Sequence, residues 1–217
     1  CGHIGRPSTG IMALRGQNNV QGASDLGPLP ATLPGYQSVK DPKAREKFGK
    51  AWGVPISEKI GLKSVEMLDE CKAGKFKGIF ILGEDPAQTD PDLNHVNAAL
   101  EAVDFLVVQD IFHTETTKHA DVILPGASFA EKDGTFTNGE RRVQRIRKAI
   151  EPLAGKAEWQ VISELATRMG YEQRYNNPSE IMDEIASLVP HYGGISYDRL
   201  DGHGLQCAAV RNARDAG

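Results

Sequence analysis

The sequence predicts an α/β fold, a Rossmann-like parallel sheet with helices on both faces, and three short apolar runs carry this prediction. The runs span residues 76–82, 105–108 and 122–124. Between the first two, Leu93 and Val96 follow the spacing of one helix face. Short, nearly continuous β-rich runs that alternate with helices are typical of parallel strands covered on both faces.

Each predicted strand ends in a turn that carries polar or turn-forming residues. The three turns are Gly83–Pro86, Gln109–Asp110 and Pro125–Gly126. Right-handed crossovers place the carboxyl ends of parallel strands on one rim of the sheet, where ligands of open α/β sheets bind. We therefore expect Asp85, Gln109 and Asp110 to line one crevice together with the third turn.

Composition limits the classes of protein to consider. The chain has 217 residues, of which 40% are hydrophobic and 25% charged, and its net charge is −4. These values suit one globular domain, or one domain with an appendage. The mildly acidic charge gives no reason to expect a nucleic-acid partner. No apolar run approaches the roughly 20 residues of a membrane-spanning helix, so we expect no direct membrane contact.

The three cysteines, Cys1, Cys71 and Cys207, share no C-x-x-C spacing. A zinc or iron–sulfur site within this chain is therefore not expected, and so sparse a count fits a reducing compartment. Cys71 shares a helical face with Leu68, which favours burial as a small apolar side chain. The chain opens on Cys1 rather than Met, which indicates a fragment or a processed piece.

The chain divides by composition into three predicted segments. Residues 1–37 are rich in Gly, Asn, Pro and Ser and form an irregular segment, either an ordered functional loop or a flexible tail. Residues 38–200 hold the α/β domain. Residues 201–217 contain little apolar matter, and we expect them to fray.

Helix signals lie on both sides of the central strands. Asp41 is expected to cap a helix that starts at Pro42 and ends before Gly53. The other flanking helices are predicted at 64–73, 159–169 and 178–188. The core stripe of the helix 159–169 is predicted to consist of Ile162, Leu165, Ala166 and Met169.

A basic run follows the third strand and a polar, turn-rich stretch. Residues 141–148 contain five Arg or Lys side chains in eight positions. Their apolar neighbours, Val143, Ile146 and Ile150, do not decide between a strand and a helix. The run is either a solvated face or, given the neighbouring loop, a surface for an anionic ligand or partner.

The turn after the first strand offers a carboxylate to a ligand. Asp85 can accept two parallel hydrogen bonds from the ring N–H and the amine of guanine, or it can bind a ribose diol. Thr89 can place a hydroxyl nearby. Alternatively, Asp85 only caps the next helix. No G-x-G-x-x-G follows a strand and no P-loop motif is present, so neither nucleotide-binding fingerprint applies.

A second dense polar stretch begins at Arg15. Its guanidinium could hold a small carboxylate or oxyanion through two hydrogen bonds. Gly16 permits close approach of the backbone to a ligand, and the amides of Gln17 and Asn18 can bond heterocycle edges or carbonyls. By composition alone, the same stretch could be a turn-rich surface loop.

The sequence resembles a known family, the molybdopterin oxidoreductases. Within that family it is similar to the catalytic subunit of molybdenum- or tungsten-dependent formate dehydrogenases. The matching motifs are Gly-Arg-Pro (5–7), Arg-Gly-Gln-Asn-Asn-Val-Gln-Gly (15–22), Pro-Gly-Tyr (34–36), Gly-Glu-Asp-Pro (83–86), Val-Gln-Asp-Ile-Phe (108–112), Ala-Asp-Val-Ile-Leu-Pro (120–125), Asp-Gly-Thr-Phe-Thr-Asn (133–138) and Glu-Arg-Arg-Val-Gln (140–144). The resemblance covers roughly residues 5–200. The motif at 15–22 is similar to the formate-oxidising branch, whereas nitrate reductases usually carry a Gln-Pro-Asn-Ala version.

The resemblance implies the third domain of the molybdopterin oxidoreductase fold, which binds one half of a bis-molybdopterin guanine dinucleotide that carries Mo or W. It implies that Arg15 orients formate beside the metal and that Gln17 and Asn18 belong to the same loop. The cofactor-binding residues that it implies are Gly83, Glu84, Asp85, Thr89, Gln109, Asp110 and Pro125. Glu158 is carried over too, although the family often has Asp there.

Some features of the family are missing from this sequence. Gly126 and Gly139 stand where some relatives have hydroxyl residues. The Cys or selenocysteine that ligates the metal is absent, as are the four-cysteine motif for a 4Fe–4S cluster and the C-terminal barrel domain. None of the six histidines replaces them, so no metal ligand is assigned within this chain.

The sequence is therefore interpreted as the central part of a formate dehydrogenase catalytic subunit, inactive alone. Its expected partners are formate, the remaining domains of the subunit and electron-transfer subunits. A cytoplasmic location is expected, with a periplasmic one as the alternative for the whole enzyme. Two other functions stay open: another molybdopterin oxidoreductase such as a nitrate reductase, or a cofactor-binding module without catalytic activity.

Overall fold

A computed structural model describes residues 2–173 and 175–207 of the chain. The helices are α1 (Val20–Asp25), α2 (Pro42–Trp52), α3 (Ser64–Lys72), α4 (Pro86–Thr89), α5 (Leu93–Ala102), α6 (Glu158–Arg168) and α7 (Pro178–Leu188). The strands are β1 (Thr32–Leu33), β2 (Gln37–Ser38), β3 (Ile79–Leu82), β4 (Leu106–Asp110), β5 (Val122–Pro125), β6 (Gly134–Thr137), β7 (Arg142–Ile146) and β8 (Leu205–Gln206). Four short 3-10 turns complete the fold, at 116–119, 129–131, 190–192 and 197–200.

Contacts divide the described residues into two compact units. The first unit draws on three stretches of chain, 2–61, 133–146 and 175–207. The second unit consists of residues 62–132 and 147–173. Composition suggested a division into 1–37, 38–200 and 201–217. Grouping by contacts is a different criterion and does not test that division, which stays a prediction.

The second unit contains the predicted parallel sheet, in the order β3-β4-β5. Leu82 pairs with Gln109, and Asp110 pairs with Pro125, so the three strands end level with one another. This register places the turns that follow the strands on one rim, as the sequence predicted. The α/β class is thereby confirmed, as a small three-stranded parallel sheet within a mixed α/β chain.

Only one face of this sheet is covered among the residues that the structure describes. Leu106 and Val108 are fully buried in a cluster with residues of α3 and α5, and Ile79 and Ile81 pack against it. On β3 the alternate side chains, Phe80 and Leu82, remain 40% and 44% exposed. The expectation of helices on both faces is therefore not met, because β3 alternates between covered and open positions as a half-buried strand does.

Helix α6 also differs from its prediction. Its bounds agree within one residue, but none of its residues is buried. Met169, at its C-terminal end, is 78% exposed, and Leu165 is 42% exposed. The stripe has the helical period of a core face, but its side chains stay partly exposed among the described residues. Period alone identifies an apolar face and does not say what covers it.

The first unit is built around the antiparallel sheet β6-β7-β8 and two apolar clusters. One cluster joins Val143 of β7 to Met182 of α7 and to Tyr192. The other packs Phe48 of α2 against Leu33 and Leu188. Asp41 caps α2 by accepting a hydrogen bond from the Lys43 N–H, as predicted.

Regular structure occurs in parts of the predicted irregular segment and of the predicted tail. Helix α1 and strand β1 lie within residues 1–37, β2 begins at Gln37, and Asp25 is completely buried. Within the predicted frayed tail, β8 pairs with β7 and Cys207 is buried. Residues 208–217 lie outside the described residues. The predicted fraying of the whole tail therefore stays a prediction.

Most of the basic run forms strand β7, and four of its charged side chains form ion pairs with carboxylates of the same chain. Arg141 lies 3.5 Å from Asp25, Arg142 lies 2.8 Å from Glu140, and Arg145 lies 3.4 Å from Asp133. Lys148, past the strand, lies 2.7 Å from Glu151. These ion pairs explain the run without an anionic partner.

The described residues contain no helix that is both long and apolar enough to cross a membrane.

The contrast between α5 and α6 can be tested by two truncations within one unit. Leu100→Ala, in the core cluster at 2% exposure, is expected to lower the free energy of unfolding by about 2–5 kcal/mol because it leaves a cavity. Met169→Ala is expected to change it by less than about 0.5 kcal/mol. Urea unfolding measures both, and equal losses would mean that α6 is packed after all.

Candidate functional site

Residues 12–19 form a loop, the Arg15 loop, which lies in the first unit and lines a cavity of about 380 Å³. Arg15, Gln17 and Asn18 contribute to one side of this cavity, and Phe136–Gly139 with Gln144 contribute to the other. Residues 2–18 are exposed throughout. The structure thus brings the three predicted loop residues together, opposite the β6–β7 hairpin.

Asn19 attaches this loop to the hairpin. It stands in the left-handed region, with φ of 59°, and its Oδ1 accepts a hydrogen bond of 2.9 Å from the Thr137 N–H. A Cβ on Gly22 would stand 2.2 Å from Asn19 Oδ1, so a larger residue there would displace the side chain that bonds Thr137. Sequence reasoning did not assign a role to Asn19, although its place between Asn18 and an apolar residue marks the start of α1.

Behind the cavity lies a buried carboxylate that the sequence analysis missed. Asp25 is completely buried and accepts hydrogen bonds from Gln21 Nε2, at 2.7 Å, and from the Tyr192 hydroxyl, at 3.2 Å. Burial, and then a hydrogen bond to Asp25, raises the pKa of Tyr36. Nothing in the local pattern of α1 signals this burial, since the partners of Asp25 come from distant segments.

The second group of predicted residues lies on the rim of the parallel sheet, in the second unit. The Gly83 N–H donates to the carbonyl of Gln109 at 2.9 Å, and the Gly126 N–H donates to the carbonyl of Asp110 at 2.8 Å. These bonds continue the sheet into the turns. Gly83 has φ of +63°, which turns the chain sharply after β3.

Asp85 is held firmly on this rim, at the N-cap position of α4. Its side chain makes no capping bond to α4. Instead, Oδ1 accepts from the Thr116 N–H at 2.8 Å and from the Thr116 hydroxyl at 2.6 Å. The Thr116 oxygen in turn accepts from the Ala87 N–H at 3.1 Å. Asp85 therefore fastens the turn after β3 to the 3-10 turn at 116–119.

The environment of Asp85 keeps its carboxylate ionised. Desolvation by burial raises its pKa, but hydrogen bonds from Thr116, Glu115 and Thr114 together outweigh that effect and hold the pKa below its usual value. With both lone pairs of Oδ1 engaged by Thr116, at most Oδ2 is left for a ligand. A pairing that uses both oxygens with guanine requires Thr116 to release one bond.

Gln109 has an unusual environment at the end of β4. It is 1% exposed, and its Nε2 donates to the carbonyl of Pro125 at 3.1 Å. Its Oε1 is buried and has no hydrogen-bond partner within the described part of the chain. A buried acceptor without a donor costs free energy, so this oxygen fits a site that a donor group of a ligand completes.

The other rim residues are less constrained. Asp110 accepts from the Phe112 N–H at 3.1 Å. Gly83, Glu84, Thr89 and Pro125 are exposed. The Thr89 hydroxyl donates to the carbonyl of Asp85 at 3.0 Å, which turns it back onto its own helix.

Glu158, at the start of α6, is engaged within its own unit. Its Oε1 accepts from the Ala127 N–H at 2.8 Å, and its Oε2 pairs with Lys132 Nζ at 2.7 Å. Because both oxygens already have partners, Glu158 is better explained as an anchor for the turn after β5. Sequence reasoning missed Lys132, whose amino group also donates to the carbonyl of Ala127.

Within residues 2–173 and 175–207, no group of three His, Cys, Asp or Glu side chains converges as a metal site would require.

The chain is a mixed α/β protein with a polar rim on its parallel sheet and a cavity beside Arg15. Comparison with known families identifies the family to which it belongs. Residues 1–168 match the molybdopterin oxidoreductase family, and the chain belongs to that family.

Two relatives are formate dehydrogenases. The chain is 49% identical over 208 residues to F420-dependent formate dehydrogenase 1 subunit alpha of Methanococcus maripaludis. This alignment covers 94% of the chain. The chain is 47% identical over 217 residues to formate dehydrogenase H of Escherichia coli, in an alignment that covers 99% of this chain. The chain spans 30% of the length of each relative.

A solved structure shares the fold. Acetylene hydratase from Pelobacter acetylenicus superposes with a TM-score of 0.52 and 22% sequence identity, over 71% of this chain and 22% of that chain. At this identity, the likeness concerns the fold.

The fastening role of Asp85 predicts a pH-dependent effect of Asp85→Asn. Because folding lowers the pKa of Asp85, its ionised form stabilises the fold above the ordinary value of 3.8, and this stabilisation is lost as pH falls through the folded value. The variant is expected to be less stable than wild type by about 1 kcal/mol at pH 7 because it replaces charge-assisted bonds with neutral ones.

The measurement is urea unfolding between pH 7 and pH 3. The difference between wild type and Asp85→Asn should shrink below about pH 4. Asp104→Asn, which removes an exposed partner of Lys77, serves as the control and should show little difference at either pH. A constant difference for Asp85→Asn would mean that its charge does not stabilise the turn.

Proposed function

We propose that this chain is part of the catalytic subunit of a formate dehydrogenase, in which the first unit helps to bind formate and the second binds a molybdopterin guanine dinucleotide. The observation that carries the proposal is the lining of one cavity by Arg15, Gln17 and Asn18. Membership of the molybdopterin oxidoreductase family and two formate dehydrogenase relatives support it.

Arg15 is the residue proposed to bind formate. A guanidinium matches a carboxylate with two parallel N–H bonds in a fixed planar fork. Its side chain lies at a cavity rather than in an internal ion pair of the kind that Arg141, Arg142 and Arg145 form. The amides of Gln17 and Asn18 would add donors and acceptors around the same small anion.

The rim of the parallel sheet fits the guanosine end of the dinucleotide. Guanine presents a ring N–H and an amine, and the rim presents the ionised Asp85 and the unpartnered Oε1 of Gln109 as acceptors. Asp110 and Thr89 would supply further polar contacts. Glu158 is the weakest member of the proposed set because both of its oxygens are already bonded.

The cofactor, when bound, would supply the two-electron oxidation of formate to carbon dioxide. The residues of this chain would hold the substrate carboxylate and the nucleotide in place. A metal ligand, a 4Fe–4S cluster and electron-transfer subunits would belong to other parts of the whole enzyme. The chain alone is expected to have no formate dehydrogenase activity.

Substitution of Arg15 in the whole enzyme tests the first part of the proposal. Arg15→Ala is expected to lower kcat/KM for formate at least about 100-fold because it removes a bidentate charged contact worth roughly 3 kcal/mol. Arg15→Lys should recover part of the loss but remain at least about tenfold below wild type, since an ammonium lacks the planar fork. Steady-state kinetics with formate measures both.

Arg168→Ala is the matched control, because Arg168 is exposed in the last turn of α6 and lines no part of the cavity. It should leave kcat/KM unchanged. Full formate activity in Arg15→Ala would exclude Arg15 from the site. Turnover of nitrate but not formate by the wild-type enzyme would replace the proposed reaction with that of a nitrate reductase.

Nucleotide titration of this chain tests the second part. GMP is expected to bind weakly but more tightly than AMP, because adenine lacks the paired donors and would leave the acceptors unpaired at a cost of about 1–3 kcal/mol. Asp85→Asn should remove most of the preference. Calorimetry or ligand-observed NMR gives the two affinities.

Thr116→Val separates recognition from local stability. It removes the hydroxyl that holds Asp85 while leaving the carboxylate in place, so the preference for GMP should remain. Equal binding of AMP and GMP by wild type, or an unchanged preference in Asp85→Asn, would refute the assignment of this carboxylate.

A further inference from the structure

The first unit contains one fully buried carboxyl side chain among its described residues, that of Asp25. Asp25 is 0% exposed, and its nearest cation, Arg141, is 3.5 Å away and itself half exposed. A buried carboxylate is expensive unless hydrogen bonds compensate it, and apolar side chains fill such a place more cheaply. The hydrogen-bond partners of Asp25 therefore indicate the role of this buried side chain.

Two hydrogen bonds of Asp25 lead toward the cavity by separate routes. By the first, Oδ1 accepts from the amide of Gln21, which lines the cavity. By the second, Oδ2 accepts from the hydroxyl of Tyr192, whose oxygen lies 2.9 Å from Thr137 Oγ1. Burial raises the pKa of Tyr192 well above its ordinary value, so this phenol stays protonated and donates to Asp25.

The second route ends at the base of the Arg15 loop. Thr137 uses its side chain for Tyr192 and its backbone N–H for Oδ1 of Asn19. Asn19 also accepts, through its carbonyl, a bond of 2.9 Å from the Ala23 N–H, and it occupies a left-handed conformation. A residue in such a conformation keeps it only where its surroundings hold it there.

We propose that Asp25 is a positioning residue for the cavity: its buried carboxylate fixes Gln21 directly and Asn19 through Tyr192 and Thr137, and thereby sets the position of Arg15. Asp25 does not touch the cavity itself. This inference rests on the proposed function, because it assigns Asp25 a role in placing the arginine that binds formate. A misplacement of about 1 Å at a reacting group can cost on the order of 100-fold in rate.

The first experiment measures amide hydrogen exchange in the whole protein prepared without cofactor. The reporters are the amides of Thr137 and Ala23, which both donate to Asn19. Asp25→Asn is expected to accelerate their exchange at least about tenfold, and Tyr192→Phe, a milder change, about threefold. Glu184→Gln is the matched control, since Glu184 accepts bonds from Trp52 and Tyr175 in the same unit. It should leave both amides unchanged.

The second experiment is a double-mutant cycle on formate oxidation by the cofactor-loaded enzyme. Asp25→Asn should lower kcat/KM at least about tenfold when Arg15 is present and less than about twofold when Arg15 is already Ala, because coupled residues are not additive. A residue that merely stabilises the unit would give equal factors in both backgrounds.

The outcomes separate the two proposals. An Arg15→Ala variant with full activity refutes the proposed function, whatever Asp25 does. If Arg15→Ala is impaired but Asp25→Asn and Tyr192→Phe leave exchange at Thr137 and Ala23 unchanged, the positioning role of Asp25 is wrong. Faster exchange that extends equally to α2, together with additive kinetics, also overturns it, since Asp25 would then be a general stabiliser of the unit.

Discussion

The parallel register of β3, β4 and β5 is the constraint on which the rim site depends. Leu82 pairs with Gln109 and Asp110 pairs with Pro125, so three turns that are far apart in sequence meet at one edge. Backbone bonds from Gly83 and Gly126 carry the pairing past the strands. A Cβ on Gly126 would stand 3.1 Å from the Asp110 carbonyl carbon, so the closeness of the two turns itself disfavours a larger residue there.

Several polar residues of the rim site form hydrogen bonds that hold the protein's own turns together. Asp85 fastens one turn to another through Thr116, and Glu158 holds the turn after β5 through Ala127 and Lys132. Such fastening limits which atoms a ligand can reach, yet it also fixes them in place before the ligand arrives, which lowers the entropic cost of binding. Oε1 of Gln109 differs from these atoms, because it has no hydrogen-bond partner among the described residues.

Local patterns in the sequence predicted local structure well. The three strands of the parallel sheet were found within a few residues, α7 was placed at Pro178–Leu188, and the Asp41 cap was identified, because each depends on neighbouring residues. Features that depend on distant segments were not predictable in this way. Examples are the burial of Asp25, the open face of β3, the exposed stripe of α6 and the ion pairs of the basic run. Of the site, the sequence indicated the two polar clusters and missed the residues that hold them, such as Thr116, Asn19 and Tyr192.

The central claim is that the rim of the parallel sheet receives a guanine nucleotide while the Arg15 loop receives a small carboxylate. The most direct measurement is an experimental structure of the whole subunit with its cofactor and formate bound. The account predicts that a guanine base lies within hydrogen-bond distance of Asp85 or Gln109, and that the guanidinium of Arg15 faces the formate. A guanine bound away from the ends of β3 and β4, or a formate site without Arg15, would contradict it.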